Sequence, residues 1–294
     1  MTGRQGLRVL VAVDGSPGAR AALAVTIAFP WPAGTRVRSV TAQRSAATRG
    51  RPSAVRAGLE HGSRRVAALA RRTLAQRWPD AEAVLVDQDP VPAILGEARR
   101  MRADVIVLGW RSRSAFRRLL LGDVVRDVLR QATCAVLVVK RRGRDVRRLV
   151  VGVDGSANAR RAVAFVAGLA RSRGTRVTLV RVLEPIGAPS LGLMPAAVRA
   201  ALARELAALT AERRARARRE LARAAVALRR AGVTPRPLVR TGAPLAELLS
   251  VVGASRARLL VVGARGTGGV ARLLLGSVAE GALTRCPAPV LIVR

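Results

Sequence analysis

The amino-acid sequence predicts an α/β fold of two tandem doubly wound domains, each with a five-stranded parallel, Rossmann-like sheet. Within each half of the 294 residues, short runs rich in Val, Leu and Ile alternate with longer helical patterns, which is typical of βαβ units. Residues 9–16 are echoed by residues 149–156, and residues 135–139 are echoed by residues 289–293. A repeat of about 145 residues has the size of a whole domain rather than of a solenoid unit.

The duplication divides the chain into a first copy, residues 1–142, and a second copy, residues 146–294. A hydrophobic content of 50% is typical of a packed globular chain, and each copy is long enough to bury its own core. Because tyrosine is absent and aromatic residues make up only 2%, we expect Ala, Val and Leu to fill those cores.

The second copy shows the order of elements most clearly. Its β-branched and aliphatic runs predict strands at residues 149–153, 176–183, 237–240, 259–262 and 290–293. Apolar residues at helical spacing predict a first helix that is capped by Ser156 or Asn158 and stopped by Gly174. The same spacing predicts three further helices, at residues 196–231, 245–252 and 277–284.

The first copy repeats this order. Pro17 lies just inside its first predicted helix, where the missing N–H of proline leaves no hydrogen bond unmade. Residues 53–76 form the long helix that corresponds to residues 196–231 of the second copy.

The charge of the chain is strongly positive, at +35 from 53 basic and 18 acidic residues. Such a field attracts polyanions, so nucleic acid is one candidate partner. No interleaved aromatic residues support stacking on bases. The arginine-rich residues 213–219 lie inside a helical pattern, which favours a solvated helix face over a nucleic-acid arm. Lys140 is the only lysine, and that exclusion points to coding bias rather than to phosphate contacts.

Several other classes of protein and site are disfavoured. No run of about 18 apolar residues and no cleavage-like pattern occur, so we expect a soluble, cytoplasmic protein without a membrane span. Cys134 and Cys286 lie far apart without histidine spacing, which indicates free thiols rather than a zinc site or a disulfide. His61, the only histidine, has no partner spacing for a catalytic set.

A glycine-rich segment after the fourth strand of the second copy carries the candidate chemistry. Residues 263–277 place glycines at the carboxyl end of a parallel strand and Gly276-Ser277 at a helix start. Glycines let backbone N–H groups approach an anion, and a helix N-terminus adds unpaired donors and partial positive charge. Ser277 and Glu280 form a capping-box pattern, although the Ser277 hydroxyl could instead contact a phosphate oxygen. The alternative is a glycine-rich turn with an ordinary cap.

The spacing Gly263, Gly266, nine residues, Gly276, Ser277 resembles the ATP-binding subgroup of the universal stress protein family. The resemblance covers essentially the whole chain, including the Val-x-Val-Asp-Gly-Ser opening of both copies and the closing strand at residues 289–293. It implies ATP as the ligand, with Mg²⁺. It also implies that residues 136–139 and 290–293 pair within the chain, which makes an intrachain pseudo-dimer and leaves a further homodimer open.

The resemblance also implies which residues meet the nucleotide. Asp154, with Gly152 and Val153 beside it, should face adenine and ribose; Val182 should offer backbone to adenine, and Val262 should line the same crevice. The remaining candidates belong to the phosphate end of the site: Gly263, Arg265, Gly266, Gly276, Ser277 and Val278. These positions agree with the general rule that open α/β sheets bind ligands beyond the carboxyl ends of their strands.

The first copy departs from this pattern. Ser112 stands where the second glycine belongs, and Asp123 follows Gly122 where Ser or Thr belongs. At about 4 Å from a phosphate charge and an effective dielectric near 20, a carboxylate costs about 4 kcal/mol per charge pair. Asp123 is also expected to cap the helix that starts at Val124. We therefore expect one competent site per chain, with a first copy that keeps Asp14 but is mainly structural.

The function that these observations favour is an ATP-binding stress-response regulator whose nucleotide state is read by an unknown protein partner. No P-loop sequence, paired carboxylates or histidine base accompanies the glycine segment, so we expect at most weak ATP hydrolysis. The alternatives are a partner-binding stress protein without nucleotide, a polyanion-binding protein and an adenine-nucleotide hydrolase.

Overall fold

A computed structural model describes residues 6–43, 52–110, 122–141, 146–169, 174–187, 195–266 and 275–294. The first copy runs β1 (Arg8–Ala12), α1 (Pro17–Ala28), β2 (Arg36–Ala42), α2 (Ser53–Ala75), β3 (Glu82–Val86), α3 (Pro90–Arg100), β4 (Val105–Gly109), α4 (Asp123–Gln131) and β5 (Ala135–Val139). The second copy runs β6 (Arg148–Gly152), α5 (Ala157–Leu169), β7 (Arg176–Leu183), α6 (Ala196–Arg230), β8 (Arg236–Thr241), α7 (Pro244–Ala254), β9 (Leu259–Gly263), α8 (Ser277–Arg285) and β10 (Val290–Val293).

The strands of both copies form one sheet, in the order β3-β2-β1-β4-β5-β10-β9-β6-β7-β8. Within each copy every pair of neighbouring strands is parallel, which confirms the doubly wound α/β prediction. The junction between the copies is antiparallel, with Val290 opposite Val138 and Ile292 opposite Val136. The two last strands therefore pair within the chain, as the resemblance implied.

The central strands are buried on both faces, which explains their continuous apolar sequences. Val9 and Val11 of β1 contact the apolar layer under α1, α2, α5 and α6, whereas Leu10 contacts the layer under α3, α4, α7 and α8. All three side chains are fully buried. Because successive side chains of a strand point to opposite faces, the sheet separates two hydrophobic cores that continue through both copies.

The first helix of each copy begins with the same serine cap. The Ser16 Oγ accepts the Ala19 N–H, and the Ser156 Oγ accepts the Ala159 N–H, each over 3.1 Å. Of the two candidate caps in the second copy, Ser156 therefore fills the role. Pro17 occupies the first turn of α1 as predicted.

The last helix of each copy begins differently from our prediction. Gly122 is the N-cap of α4 and Gly276 is the N-cap of α8, and neither helix has a side-chain cap. The capping roles predicted for Asp123 and Ser277 are therefore wrong. Both glycines have extended backbone, which is the geometry of an N-cap residue, so the residue after each glycine already lies inside the first turn.

The two copies also meet through the residue that follows each last strand. The Lys140 Nζ donates to the carbonyl oxygens of Thr284, over 2.9 Å, and Cys286, over 2.8 Å, and it lies 4.9 Å from the centre of the Trp110 ring. Arg294 correspondingly donates to the carbonyl of Leu129 at the end of α4. Each copy thus places a cation at the carboxyl end of the other copy's last helix, where the helix dipole favours positive charge.

The contact of Lys140 predicts a gain of stability at alkaline pH. Burial lowers the pKa of its ammonium from 10.5 to about 8. Between these values the unfolded chain binds more protons than the folded chain, so the free energy of unfolding rises with pH. Between pH 8 and 10.5, the free energy of unfolding of the wild type should rise by about 1 kcal/mol relative to that of the Lys140→Gln variant. This value is smaller than the full pKa shift implies, because solvent screens the half-exposed amine. Urea unfolding of both proteins at several pH values measures this rise. A difference in unfolding free energy between them that stays constant or falls with pH would contradict the prediction.

In the described ranges, no helix is both long and apolar enough to cross a membrane. Cys134 and Cys286 are both free thiols, the second of them fully buried.

Candidate functional site

A cavity of about 670 Å³ opens at the carboxyl edge of the second copy's strands. Its volume lies in the range typical of small-molecule sites. The ends of β6, β7 and β9 and the first turn of α8 contribute to its wall. All of the residues proposed from sequence line this cavity: Gly152, Val153, Asp154, Val182, Val262, Gly263, Arg265, Gly266, Gly276, Ser277 and Val278. The fold thus brings all of these residues to one cavity. That they contact a nucleotide there is still a prediction.

Asp154 lies between the turn that follows β6 and the loop that follows β9. Its Oδ1 accepts the Ser156 N–H over 2.9 Å, and a Cβ on Gly266 would come within 2.6 Å of its Oδ2. The intervening Gly155 has a φ of +83°, a conformation that favours glycine. Local backbone therefore holds the carboxylate at the cavity wall, and Gly266 keeps the space beside it open.

The end of β9 is fixed against the start of α5. A Cβ on Gly263 would lie 2.8 Å from the Asn158 Cβ and 3.0 Å from the Ala159 nitrogen. The Ser156 hydroxyl and the Asn158 amide both donate to the Arg265 carbonyl, each over 3.3 Å. Glycine is required at position 263 because β9 and α5 approach each other so closely. The two hydrogen bonds to the Arg265 carbonyl hold the first residues of the glycine segment in place.

The N-terminus of α8 supplies backbone donors to the cavity. The Gly276 N–H donates to the Ala264 carbonyl over 2.9 Å, whereas the helix has no side-chain cap. Its first-turn residues Ser277, Val278 and Ala279 all line the cavity. Since the first N–H groups of a helix have no partner within it, this end of the cavity combines open donors with the positive end of the helix dipole.

Three charged residues of the cavity wall were not identified from the sequence. Arg181 and Glu184 come from the end of β7, and Arg213 comes from α6. Arg213 is partly buried, so the interpretation of residues 213–219 as a solvated face is wrong at this position. Arg181 and Glu184 flank Val182 and Leu183 at the end of a predicted strand, a position that could have marked them. No local pattern marks Arg213, because it reaches the cavity only where α6 passes the carboxyl edge of the sheet.

The first copy keeps part of this arrangement. The Asp14 Oδ1 accepts the Ser16 N–H over 2.9 Å, as Asp154 does in the second copy. Asp123 is 84% exposed and lies 3.5 Å from the Arg126 guanidinium, so solvent and this arginine screen much of the repulsion that we expected toward phosphate. Ser112 lies outside the described residues.

The part of the chain that the structure describes contains no group of three or more His, Cys, Asp or Glu side chains that could hold a metal ion.

Comparisons with known proteins agree with this architecture. The model of the Universal stress protein family matches residues 7–140 and 145–294. Universal stress protein Rv2005c of Mycobacterium tuberculosis is 29% identical over 230 residues, which cover 75% of this chain and 71% of that protein.

Solved structures include two universal stress proteins from Archaeoglobus fulgidus. One of them has the same fold, with a TM-score of 0.69 over 99% of both chains at 19% sequence identity. The other, solved in complex with dAMP, is 24% identical over 50% of this chain and 97% of its own, with a TM-score of 0.36. Because the two family matches together span nearly the whole sequence, this chain belongs to the universal stress protein family as a tandem two-domain member.

Proposed function

We propose that the second copy binds ATP, entering with Mg²⁺, at one site per chain, and that its occupancy regulates a stress response through association with a partner. The proposal rests on one observation above all. The cavity ends at a helix N-terminus without a side-chain cap, next to a glycine that packing against the described residues does not require.

Three glycines of the same segment differ in what a side chain at their positions would meet. A Cβ on Gly263 or Gly266 would approach protein atoms to 2.8 or 2.6 Å, so the neighbouring protein explains both glycines. A Cβ on Gly276 would meet its nearest neighbours at 3.4 to 3.7 Å, which is ordinary contact, and its φ of −68° suits any residue. Packing within the described residues thus leaves space beside Gly276, and a phosphate lying against this glycine would use that space.

The chemistry of the cavity wall suits the two ends of an adenine nucleotide. At the helix end, the N–H donors of α8 and the Arg265 side chain favour phosphate oxygens. Elsewhere Val182, Leu183 and Leu248 offer apolar surface to a base, and the Asp154 carboxylate can accept hydrogen bonds from ribose hydroxyls.

The same wall supports binding and retention better than hydrolysis. Asp154 and Glu184 are its acidic residues, and no histidine lines it. Mg²⁺ bound to the phosphates would neutralise part of their charge, and the Ser277 hydroxyl at the helix end could add an oxygen ligand. We expect at most weak ATP hydrolysis, because the described residues of the wall include no histidine to act as a general base.

Calorimetric titration with ATP and Mg²⁺ tests the proposal, at salt high enough to suppress nonspecific attraction to the arginine-rich surface. We expect one saturable site per chain. If purified protein, shown to be free of carried-over nucleotide, gives neither heat nor thermal protection, the proposal fails and a partner-binding or polyanion-binding role takes its place.

The Asp123→Ser variant tests whether Asp123 alone prevents the first copy from binding ATP. We expect its stoichiometry to stay at one ATP per chain, because Ser112 also departs from the glycine spacing. The same titration measures it, with the wild-type chain as control. A stoichiometry of two ATP per chain in this variant would show that Asp123 alone prevents the first copy from binding ATP.

A further inference from the structure

A second cavity, of about 420 Å³, lies between α5 and α6. Val153 and Ala159 line both this cavity and the candidate nucleotide site, so the start of α5 separates the two. Nothing in the proposed nucleotide function uses the second cavity.

The floor of the second cavity is aliphatic. Small side chains on the facing sides of α5 and α6 leave room between the two helices: Ala159, Val163, Ala164, Ala224 and Ala227. Val153, directly after β6, adds a further aliphatic side chain to the lining. Val153, Ala159 and Val163 are buried. Such a floor suits the hydrocarbon part of a ligand, whose transfer from water is favourable in proportion to the apolar area that it buries.

The rim of the second cavity is positively charged. Arg160, Arg216 and Arg223 line it together with one acidic residue, Glu220. Glu220 is already engaged, because its Oε2 lies 3.2 Å from the Arg181 Nε and its Oε1 lies 3.4 Å from the Arg216 Nε. Arg223 is exposed and makes no ion pair within the described part of the chain. The rim thus keeps a surplus of positive charge over an apolar floor.

The first copy provides an internal comparison. A Cβ on Gly15 would lie 2.9 Å from the Val66 Cγ2, as a Cβ on Gly155 would lie 3.3 Å from the Glu220 Oε1. Val66 therefore occupies the place of Glu220. Counting along the helices from this pair, Gly62 and Leu69 stand where the second copy has Arg216 and Arg223. Arg20 corresponds to Arg160, since each donates to the carbonyl of the preceding glycine, Gly15 or Gly155. The fold therefore does not require the two rim arginines of α6, because the first copy forms the same helix pair without them.

We propose that the second cavity is a separate binding site for a small organic anion, namely an aliphatic chain that ends in a carboxylate or a phosphate. The chain lies on the alanine and valine floor, and the anionic group pairs with Arg223 and Arg216. Guanidinium groups form charge-assisted hydrogen bonds with both kinds of head group. The opposite arrangement, a cation in this cavity, would meet three arginines.

Titration calorimetry with decanoate and with decyl phosphate tests the proposal on the full chain, with decanol as the neutral comparison. Ala164→Leu places a larger side chain in the cavity from an exposed position of α5. We expect folding to be preserved, because leucine is nearly as good a helix former as alanine. Arg223→Gln removes the unpaired charge. Arg219→Gln is the matched control, because Arg219 is exposed on the same helix but does not line the cavity.

We expect one saturable site for at least one of the two anions. Loss of one charge-assisted contact in Arg223→Gln should weaken binding about tenfold, Ala164→Leu should abolish it, and Arg219→Gln should change it less than about twofold. Saturating ATP should not prevent either anion from binding in the second cavity. The ratio of the affinities for decanoate and decyl phosphate shows whether a carboxylate or a phosphate is preferred.

Three results would overturn the proposal. Equal binding in all variants would indicate adsorption to the basic surface, and equal binding of decanol would exclude recognition of an anion. Displacement by ATP would place the probe in the first cavity. The ATP titration of the same variants is independent of these results, so failure here and failure of the nucleotide proposal can be told apart.

Discussion

Replacing Gly276 by valine is expected to lower the ATP affinity by more than about a hundredfold, which corresponds to about 2.7 kcal/mol. The branched side chain enters the space in front of the α8 N-terminus, where we place the phosphates. The protein itself has room for the first carbon, since a Cβ there meets the Arg265 Cα at 3.4 Å and the Ala264 oxygen at 3.6 Å. We therefore expect loss of binding without loss of folding, measured by calorimetry and by thermal unfolding of the same sample.

The duplication supplies the matched control for this variant. Gly122 is the N-cap of α4 in the first copy, with the same extended backbone as Gly276. Gly122→Val should leave ATP binding at the wild-type value if the second copy alone holds the nucleotide. Wild-type affinity in Gly276→Val would refute the site, and an equal loss in both variants would refute its restriction to the second copy.

Replacing Gly109 by alanine is expected to destabilise the chain by more than about 3 kcal/mol, because it forces strain into a closely packed interior. Gly109 ends β4 and faces the start of α1. A Cβ there would lie 2.2 Å from the Gly18 carbonyl carbon and 2.5 Å from the Ala19 nitrogen. These are backbone atoms, so no side-chain rotation relieves the overlap and α1 must move away from the sheet. Urea unfolding measures the loss.

Gly96→Ala is the control for this second variant. Gly96 lies inside α3, and a Cβ there would meet nothing within 4 Å. The same substitution should therefore stabilise the chain by about 0.5 to 1 kcal/mol, since alanine loses less backbone entropy than glycine on folding. A Gly109→Ala variant as stable as the wild type would contradict the close approach of β4 and α1.

Most of the fold could be predicted from the sequence because its signals are local. Each strand is a short aliphatic run, and the long helix of the second copy ends near Gly232. Because the two copies are similar in sequence, the order of elements in the second predicted the order in the first. The candidate site residues were implied by the resemblance to the universal stress protein family, which rests on the spacing of Gly263, Gly266, Gly276 and Ser277. That implication agrees with the rule that open α/β sheets bind ligands beyond the carboxyl ends of their strands.

The predictions that failed depend on backbone angles or on contacts between distant elements. Ser277 and Asp123 were assigned as caps from residue type, but the extended backbone of the preceding glycine decides where each helix begins. Arg213 was assigned to a solvated face from its neighbours, but the position of α6 beside the sheet edge brings it to the cavity.

The duplication, the parallel sheets and the glycine segment after the fourth strand could be predicted from residues close together in the chain, because the hydrophobic period and the glycine spacing are local patterns. The contact of Lys140 with the end of α8 and the arginine rim of the cavity between α5 and α6 became evident only in the folded chain. Both features join residues far apart in the chain, and their side chains meet only after the sheet has brought the elements that carry them together.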